Sequence, residues 1–227
     1  MRLTQRDTKL VKDIALSHVL SRDQVITLGY FSSVTRTNTR LRQLRTLGLV
    51  KSLETPFHGQ TLYAAGPKAI LLVGERIAPI LSGRLGSPRF IQHALATTNV
   101  RIELQNQGSS IWRFEQQVRS LFRFGGRDHE IRPDGVALTH SGILALEVDL
   151  GHVDPSKFKQ KLLAYDAFVA SGECRRIWNT PTFSLLAVTT GSLRARRPRE
   201  LAPSSLSFEF ACQSADQFGV AFPGSWS

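Results

Sequence analysis

The order of apolar segments in the first 66 residues constrains the fold more than any other feature. Three stretches have apolar residues at helical spacing, and each follows a side chain that commonly caps helices. Gly29 and Gly48 end the second and third stretches. Two short β-like runs, 49–53 and 61–64, then flank a polar loop. This order predicts an N-terminal unit of three helices and a hairpin. The predicted caps are Thr4, Ser21 and either Ser32 or Ser33.

The third stretch is apolar on one side and cationic on the other. On a helical wheel Val34, Leu41 and Leu44 fall together. From Ser33 through Lys51 there are five basic residues, Lys51 included, and no acidic one, whereas a solvated helix face usually mixes both signs. Such a helix fits a DNA major groove, where Arg contacts guanine edges and phosphates.

Three helices followed by a hairpin is the order of a winged helix-turn-helix, which we predict for residues 1–66. In that fold the third helix enters the groove and the hairpin reaches the adjacent backbone. The predicted DNA-binding residues are Arg36, Thr39, Arg40, Arg42, Gln43, Arg45, Lys51 and His58.

The composition agrees with a polyanionic partner. The chain has 29 Lys and Arg against 18 Asp and Glu, for a formal net charge of +11. Cys174 and Cys212 lack the paired spacing of a zinc site, and no HExxH-type histidine pair occurs. The N-terminus has no signal-peptide pattern, and the most apolar stretch, 69–81, is too short to cross a bilayer. We therefore expect a cytoplasmic protein without a membrane partner.

The second half has a different pattern. Residues 67–88 are predicted to form a connecting helix, over 68–80, and a Gly/Ser/Pro-rich linker. A long helix over 89–105 then precedes two apolar strands, a helix and another strand, which is typical of an α/β domain. We predict this domain for residues 89–227, with a basic loop at 194–199 and a mixed α+β chain as a whole.

Acidic residues mark the strands of this second domain. Alternation along a strand puts Glu147 and Asp149 on one side, and Asp134 on the neighbouring strand could join them. Carboxylate oxygens of this kind bind Mg²⁺ or Mn²⁺, and a nearby lysine, from Lys157, Lys159 or Lys161, could neutralise charge that develops on a phosphate. Asp134 and Glu147 are the predicted metal ligands. The predicted catalytic residues are Asp134, Glu147 and Asp149, together with Lys161 through the resemblance described next.

The spacing of these residues resembles the PD-(D/E)XK nuclease, or restriction-endonuclease-like, fold. That motif places a lysine two residues after the second acid, where this chain has Asp149. In some members the lysine comes from the following helix, so the resemblance implies Lys161, or less well Lys157, in that role. An active nuclease and a domain that keeps only the fold both remain open.

The two halves together resemble the replication-relaxation family, which is associated with plasmids and other mobile elements. The matching pieces follow one another along nearly the whole chain. They are LTQRD at 3–7, RLRQL at 40–44, GLV at 48–50, His93, Trp112, Glu115, PDG at 133–135, LEVDLG at 146–151, Lys161 and Tyr165. The resemblance implies a role in plasmid replication or DNA relaxation.

Three functions are therefore compared. The first is a DNA-binding accessory protein of a plasmid or other mobile element, acting on duplex DNA in replication, relaxation, mobilisation or their regulation. The second is a metal-dependent endonuclease or nickase that uses Asp134, Glu147 and Lys161. The third is a transcriptional repressor whose second domain only dimerises. A homodimer and a relaxase or replication protein are the expected protein partners.

Overall fold

The computed structural model describes residues 2–56, 58–74, 87–151, 153–203 and 205–222, without the side chains of 197, 199 and 201. They form two compact units, 2–102 and 103–222. The predicted mixed α+β class is confirmed, because helices and three sheets occur in these ranges.

The first three helices begin where side chains cap them. Helices α1 and α2 span Gln5–Leu16 and Arg22–Thr27, and each opens with a capping box. The third helix, α3, spans Val34–Thr46 after Ser33, whose hydroxyl accepts a hydrogen bond from the Arg36 N–H. The three predicted helices are thus confirmed, and Ser33 rather than Ser32 is the cap.

A small antiparallel sheet completes this part of the first unit. Strands β1, Leu20–Ser21, β2, Val50–Thr55, and β3, His58–Ala65, have the order β1-β3-β2. Its apolar face joins a core with the helices, in which Leu41 and Leu44 of α3 are fully buried. Burial of Thr37, Leu41 and Leu44 fixes the rotation of α3, so that the cationic side faces solvent. Val34, which the sequence placed beside the two leucines, is instead 46% exposed in the first turn.

The described part of the segment after β3 differs from the single continuous helix that we predicted. A 3-10 turn, Pro67–Ala69, is followed by the short helix α4, Ile70–Val73, which ends at Gly74 with φ +91°. Glycine adopts that conformation without strain, so it stops the helix that we predicted over 68–80. The rest of that prediction, and most of the predicted linker, lies in 75–86, outside the described residues.

The long helix α5, Pro88–Asn106, agrees within one residue at each end with the prediction. Along its first part it packs on the first unit. The Gln24 amide Nε2 donates to the Leu95 carbonyl oxygen at 2.9 Å and to the Asn99 Oδ1 at 2.7 Å. The two units divide between Ile102 and Glu103, inside this helix, whereas the sequence suggested a division near residue 88.

The second unit is built around a five-stranded mixed sheet. Its order is β10-β9-β8-β7-β4, with β8, β9 and β10 parallel and β7 antiparallel to both of its neighbours. The strands are β4 Ile111–Phe114, β5 Ser120–Phe124, β6 Arg127–Ile131, β7 Gly135–Thr139, β8 Gly142–Asp149, β9 Ser184–Thr189 and β10 Glu209–Ser214. The helices are α6 Glu115–Val118, α7 Pro155–Ala170, α8 Glu173–Trp178, α9 Ser192–Leu201 and α10 Ala215–Phe218.

Two details of this unit differ from the sequence prediction. The stretch 194–199 belongs to helix α9 and is not a loop. Ala195 packs into the core of the unit, while Arg194 and Arg196 on either side of it are exposed. Strands β5 and β6 form a separate two-stranded sheet that the sequence did not predict. Among the helices of the described ranges, none is long and apolar enough to cross a membrane.

Candidate nucleic-acid interface and acidic cluster

The cationic side of α3 is open to solvent. Leu41 and Leu44 are fully buried on the opposite side of the helix. The structure therefore presents one face of α3 outward, with three arginines and two neutral hydrogen-bonding side chains. These exposed residues are Arg36, Thr39, Arg42, Gln43 and Arg45.

A polar groove of about 440 Å³ lies between α3 and the hairpin of β2 and β3. Arg42 and Arg45 line it from the helix, and Gln60 lines it from β3. The Arg45 guanidinium Nη1 also donates to the Ser52 hydroxyl at 3.2 Å, which links the helix to strand β2. The helix and the hairpin therefore present their polar groups to one shared surface.

The two predicted hairpin residues are only partly exposed. Lys51 lies near the start of β2, and His58 lies at the start of β3. Burial lowers the pKa of His58 below its usual value of 6.5, so its imidazole is neutral at pH 7. In the free protein His58 can therefore offer a backbone phosphate a hydrogen bond from an imidazole that is mainly neutral.

Arg40 has a structural function that the sequence did not reveal. Its Nε donates to the Asp7 Oδ1 at 2.7 Å, and its Nη2 contacts the other carboxylate oxygen. Asp7 is fully buried. Burial alone would raise its pKa, but hydrogen bonds from Arg40 and Thr4 outweigh that effect and lower the pKa to about 2. Arg40 thus joins α3 to the start of α1, and we do not assign it to the duplex.

In the second unit, Glu147 and Lys161 come together as predicted. Glu147, on β8, is 4% exposed, and its Oε2 is paired with the Lys161 ammonium from α7. The Tyr165 hydroxyl donates to the Glu147 Oε1 at 2.7 Å. Burial raises the pKa of Glu147; Lys161 opposes the rise and the charge of Asp134 adds to it. Tyr165 is one of the residues that carry the family resemblance, but no role in the acidic cluster was predicted for it, although it lies one helical turn after Lys161.

The other two predicted acids bind backbone groups. Asp134, just before β7, accepts a hydrogen bond at its Oδ2 from the Val148 N–H of the neighbouring strand β8 at 2.7 Å. Asp149 Oδ1 accepts from Gly151 at 2.8 Å and Val153 at 3.2 Å, so Asp149 braces the loop that follows its strand. Its Oδ2 also lies 3.6 Å from the Arg194 Nε.

These contacts bear on the predicted metal site. Two carboxylates suit Mg²⁺, which commonly takes one or two of them together with substrate phosphates. In the described residues no group of three or more His, Cys, Asp or Glu side chains is placed to hold a metal ion. Both oxygens of Glu147 already have protein partners. Metal binding by Asp134 and Glu147 stays a prediction.

Comparison with known proteins gives one family. No curated protein sequence matches the chain. A crystal structure of protein VC1899 from Vibrio cholerae aligns over 93% of this chain and 47% of its own, at 11% identity and a TM-score of 0.33. The present chain thus spans about half the length of that protein. The replication-relaxation family model matches residues 11–181, well over half of the chain. The chain belongs to the replication-relaxation family.

Proposed function

We propose that the first unit is a winged helix-turn-helix that binds duplex DNA, as an accessory protein in the replication or relaxation of a plasmid or other mobile element. Membership of the replication-relaxation family supports a role in that process. The observation that carries the DNA-binding part is the exposed face of α3, with Arg36, Arg42 and Arg45 and no acidic residue.

The arrangement of this face suits a major groove. Thr39, Arg42 and Gln43 project from its middle, where a recognition helix meets base edges. Arg42 can bind guanine with two parallel hydrogen bonds, and Gln43 can bind adenine in the same way. We therefore expect these three residues to contact the bases and so determine which DNA sequence is bound. Lys51 and His58 should lie beside the sugar-phosphate backbone of the DNA.

A binding assay with the 227-residue chain tests this function. Fluorescence anisotropy would compare duplexes from the origin and promoter regions of the host element with random duplex at physiological salt. The Arg42→Ala variant should lose about 1–3 kcal/mol of preference for the best site. Lys12→Ala, which removes one exposed charge from α1, is the matched control and should bind like the wild type. Absence of any duplex binding by the wild type would refute the proposal.

A second candidate function is a metal-dependent endonuclease or nickase. The meeting of Glu147 with Lys161, within the electrostatic reach of Asp134, favours it, because perturbed titratable groups gather at catalytic sites. A bound Mg²⁺ or Mn²⁺ would supply Lewis-acid activation of water. Asp134 and Glu147 would hold it, Lys161 would balance charge on the phosphate, and Asp149 would position the adjoining loop.

A nicking assay with supercoiled plasmid distinguishes the nuclease from the DNA-binding accessory protein. If the second unit is a nuclease, the wild type should nick plasmid with Mg²⁺ or Mn²⁺, and Glu147→Gln should not. Glu209→Gln, at an exposed position of β10, is the control and should nick like the wild type. Nicking that survives Glu147→Gln would exclude this site.

A repressor with a non-catalytic second domain is the third candidate. It requires a homodimer, which would bind two half-sites of a palindrome. Analytical ultracentrifugation tests this directly, since a monomer at binding concentrations contradicts it. The DNA-binding proposal also includes two untested predictions. One is a relaxase or replication protein as partner, and the other is a cytoplasmic location.

A further inference from the structure

A cleft in the first unit collects arginines beside the start of α3. Its volume is about 480 Å³ and ten residues line it. Of these ten described residues none is acidic, and four are arginines. A concave surface lined by one sign of charge concentrates ions of the opposite sign. The four arginines are Arg2, Arg6, Arg36 and Arg40.

Three of these guanidinium groups are not used by the Asp7 ion pair, which takes only Arg40. The guanidinium carbon of Arg6 lies 4.6 Å from the centroid of the Phe31 ring, a cation–π contact that orients the group. Arg36 Nη1 donates to the Ser32 hydroxyl at 3.4 Å. A guanidinium has five N–H donors, so groups held in these ways still have donors for an anion.

The position of Arg36 within its helix is a second, independent observation. The third helical residue closes a capping box in α1 and α2, where it is Asp7 and Gln24. In α3 that residue is Arg36, and the first turn contains no acid. A cation in a first turn opposes the helix dipole, whereas Glu or Gln there would stabilise the helix. A local choice that lowers stability is typical of a functional site.

We propose that this cleft binds a phosphodiester of the DNA backbone through Arg2, Arg6 and Arg36, next to the groove segment that α3 enters. The inference rests on the proposed duplex binding. It adds that one group of residues contacts phosphates while another contacts bases. Guanidinium groups bind phosphate oxygens with two parallel hydrogen bonds. Contacts to phosphates fix the register of a protein on DNA without reading its sequence. Arg6 and Arg36 therefore act on every duplex alike, unlike Arg42.

The salt dependence of binding tests this assignment. With random-sequence duplex, Arg6→Ala and Arg36→Gln should each weaken binding and reduce the slope of log K against log salt by about 0.9. On the preferred site the loss should be equally large. Arg36→Gln should also raise the melting temperature of the free protein, since it restores a capping-box partner. Lys12→Ala should leave the slope unchanged. Unchanged slopes in both arginine variants would overturn the proposal.

Sulfate supplies a readout that does not need DNA. We expect sodium sulfate to raise the melting temperature of the wild type more than that of Arg6→Ala or Arg36→Gln, relative to sodium chloride of equal ionic strength. If the wild type binds no duplex but keeps this sulfate effect, the proposed function fails and the backbone assignment is overturned in favour of a free anion. If duplex binding persists while both variants match the wild type in every assay, only the cleft assignment fails.

Discussion

Replacing Arg101 with leucine tests how helix α5 is held to the first unit. The Arg101 Nη1 and Nη2 donate to the two carboxylate oxygens of Asp13 at 2.5 and 3.0 Å. Tyr30 and Ser17 donate to the same carboxylate at 2.8 and 3.3 Å. The side chains of Arg101 and Asp13 are 10% and 5% exposed, so this pair is buried.

The leucine variant would leave a buried carboxylate with two neutral donors and no cation. Removing one partner of a buried pair costs about 3–5 kcal/mol, a large part of the roughly 5–15 kcal/mol that stabilises a typical domain. With a urea dependence of about 2 kcal/mol per molar, the unfolding midpoint should fall by on the order of 2 M.

Urea unfolding followed by far-UV circular dichroism measures this effect. Arg22→Leu is the matched control, because Arg22 pairs with Asp23 in partly exposed positions and should lose less than about 1 kcal/mol. The double variant Asp13→Leu/Arg101→Leu should lose less than the sum of its single variants, since neither charge is then left alone. Our reasoning would be refuted if Arg101→Leu were no less stable than the control.

Two further predictions concern the same unit. Because the pKa of Asp7 is about 2 in the folded chain and near 3.8 when unfolded, the stability from its pairing with Arg40 is complete above pH 5 and declines as the pH falls towards 2. About 2 kcal/mol of the free energy of unfolding should disappear over that range. If the free energy of unfolding of Asp7→Asn depended on pH as steeply as that of the wild type, the prediction would be contradicted. A Cβ at Gly66 would lie 2.3 Å from the backbone oxygen of Gly48, so Gly66→Ala should lower the melting temperature strongly. Gly59→Ala, where a Cβ meets nothing within 4 Å, should change it little, and equal effects would argue against the close approach.

The sequence predicted the elements of the first unit because their determinants are local. Caps such as Thr4 and Ser21 lie within three residues of their partners, and the apolar side of α3 is visible from its spacing. The orientation of the cationic face followed from the same pattern.

Long-range pairs account for most of what the sequence could not predict. The partners of the Arg40–Asp7 and Arg101–Asp13 pairs are 33 and 88 positions apart, and only the folded chain brings them together. Without that contact Arg40 was grouped with the DNA-facing arginines. Helix α5 was likewise predicted well in length, but its attachment to the first unit was not.

In the second unit the sequence predicted which residues belong to the acidic cluster but not which partners their side chains contact. Strand alternation brought Glu147 into the predicted set, and the family resemblance added Lys161. The directions of the side chains depend on the tertiary structure. Asp149 contacts the loop that follows its own strand, while Glu147 contacts α7. Strands β5 and β6 were missed because neither alternates in the usual way. In β5 the apolar Leu121 and Phe124 are exposed while Ser120 is buried, and in β6 Ile131 is the one apolar residue.

Hydrogen–deuterium exchange of the 227-residue chain, with and without duplex DNA, tests the central claim most directly. We predict that duplex slows amide exchange in peptides covering 32–46 and 50–65, and that the Arg42→Ala variant weakens this protection. Protection confined to residues 103–222, or no protection at a duplex concentration that saturates binding, would contradict the assignment of DNA binding to α3 and the hairpin.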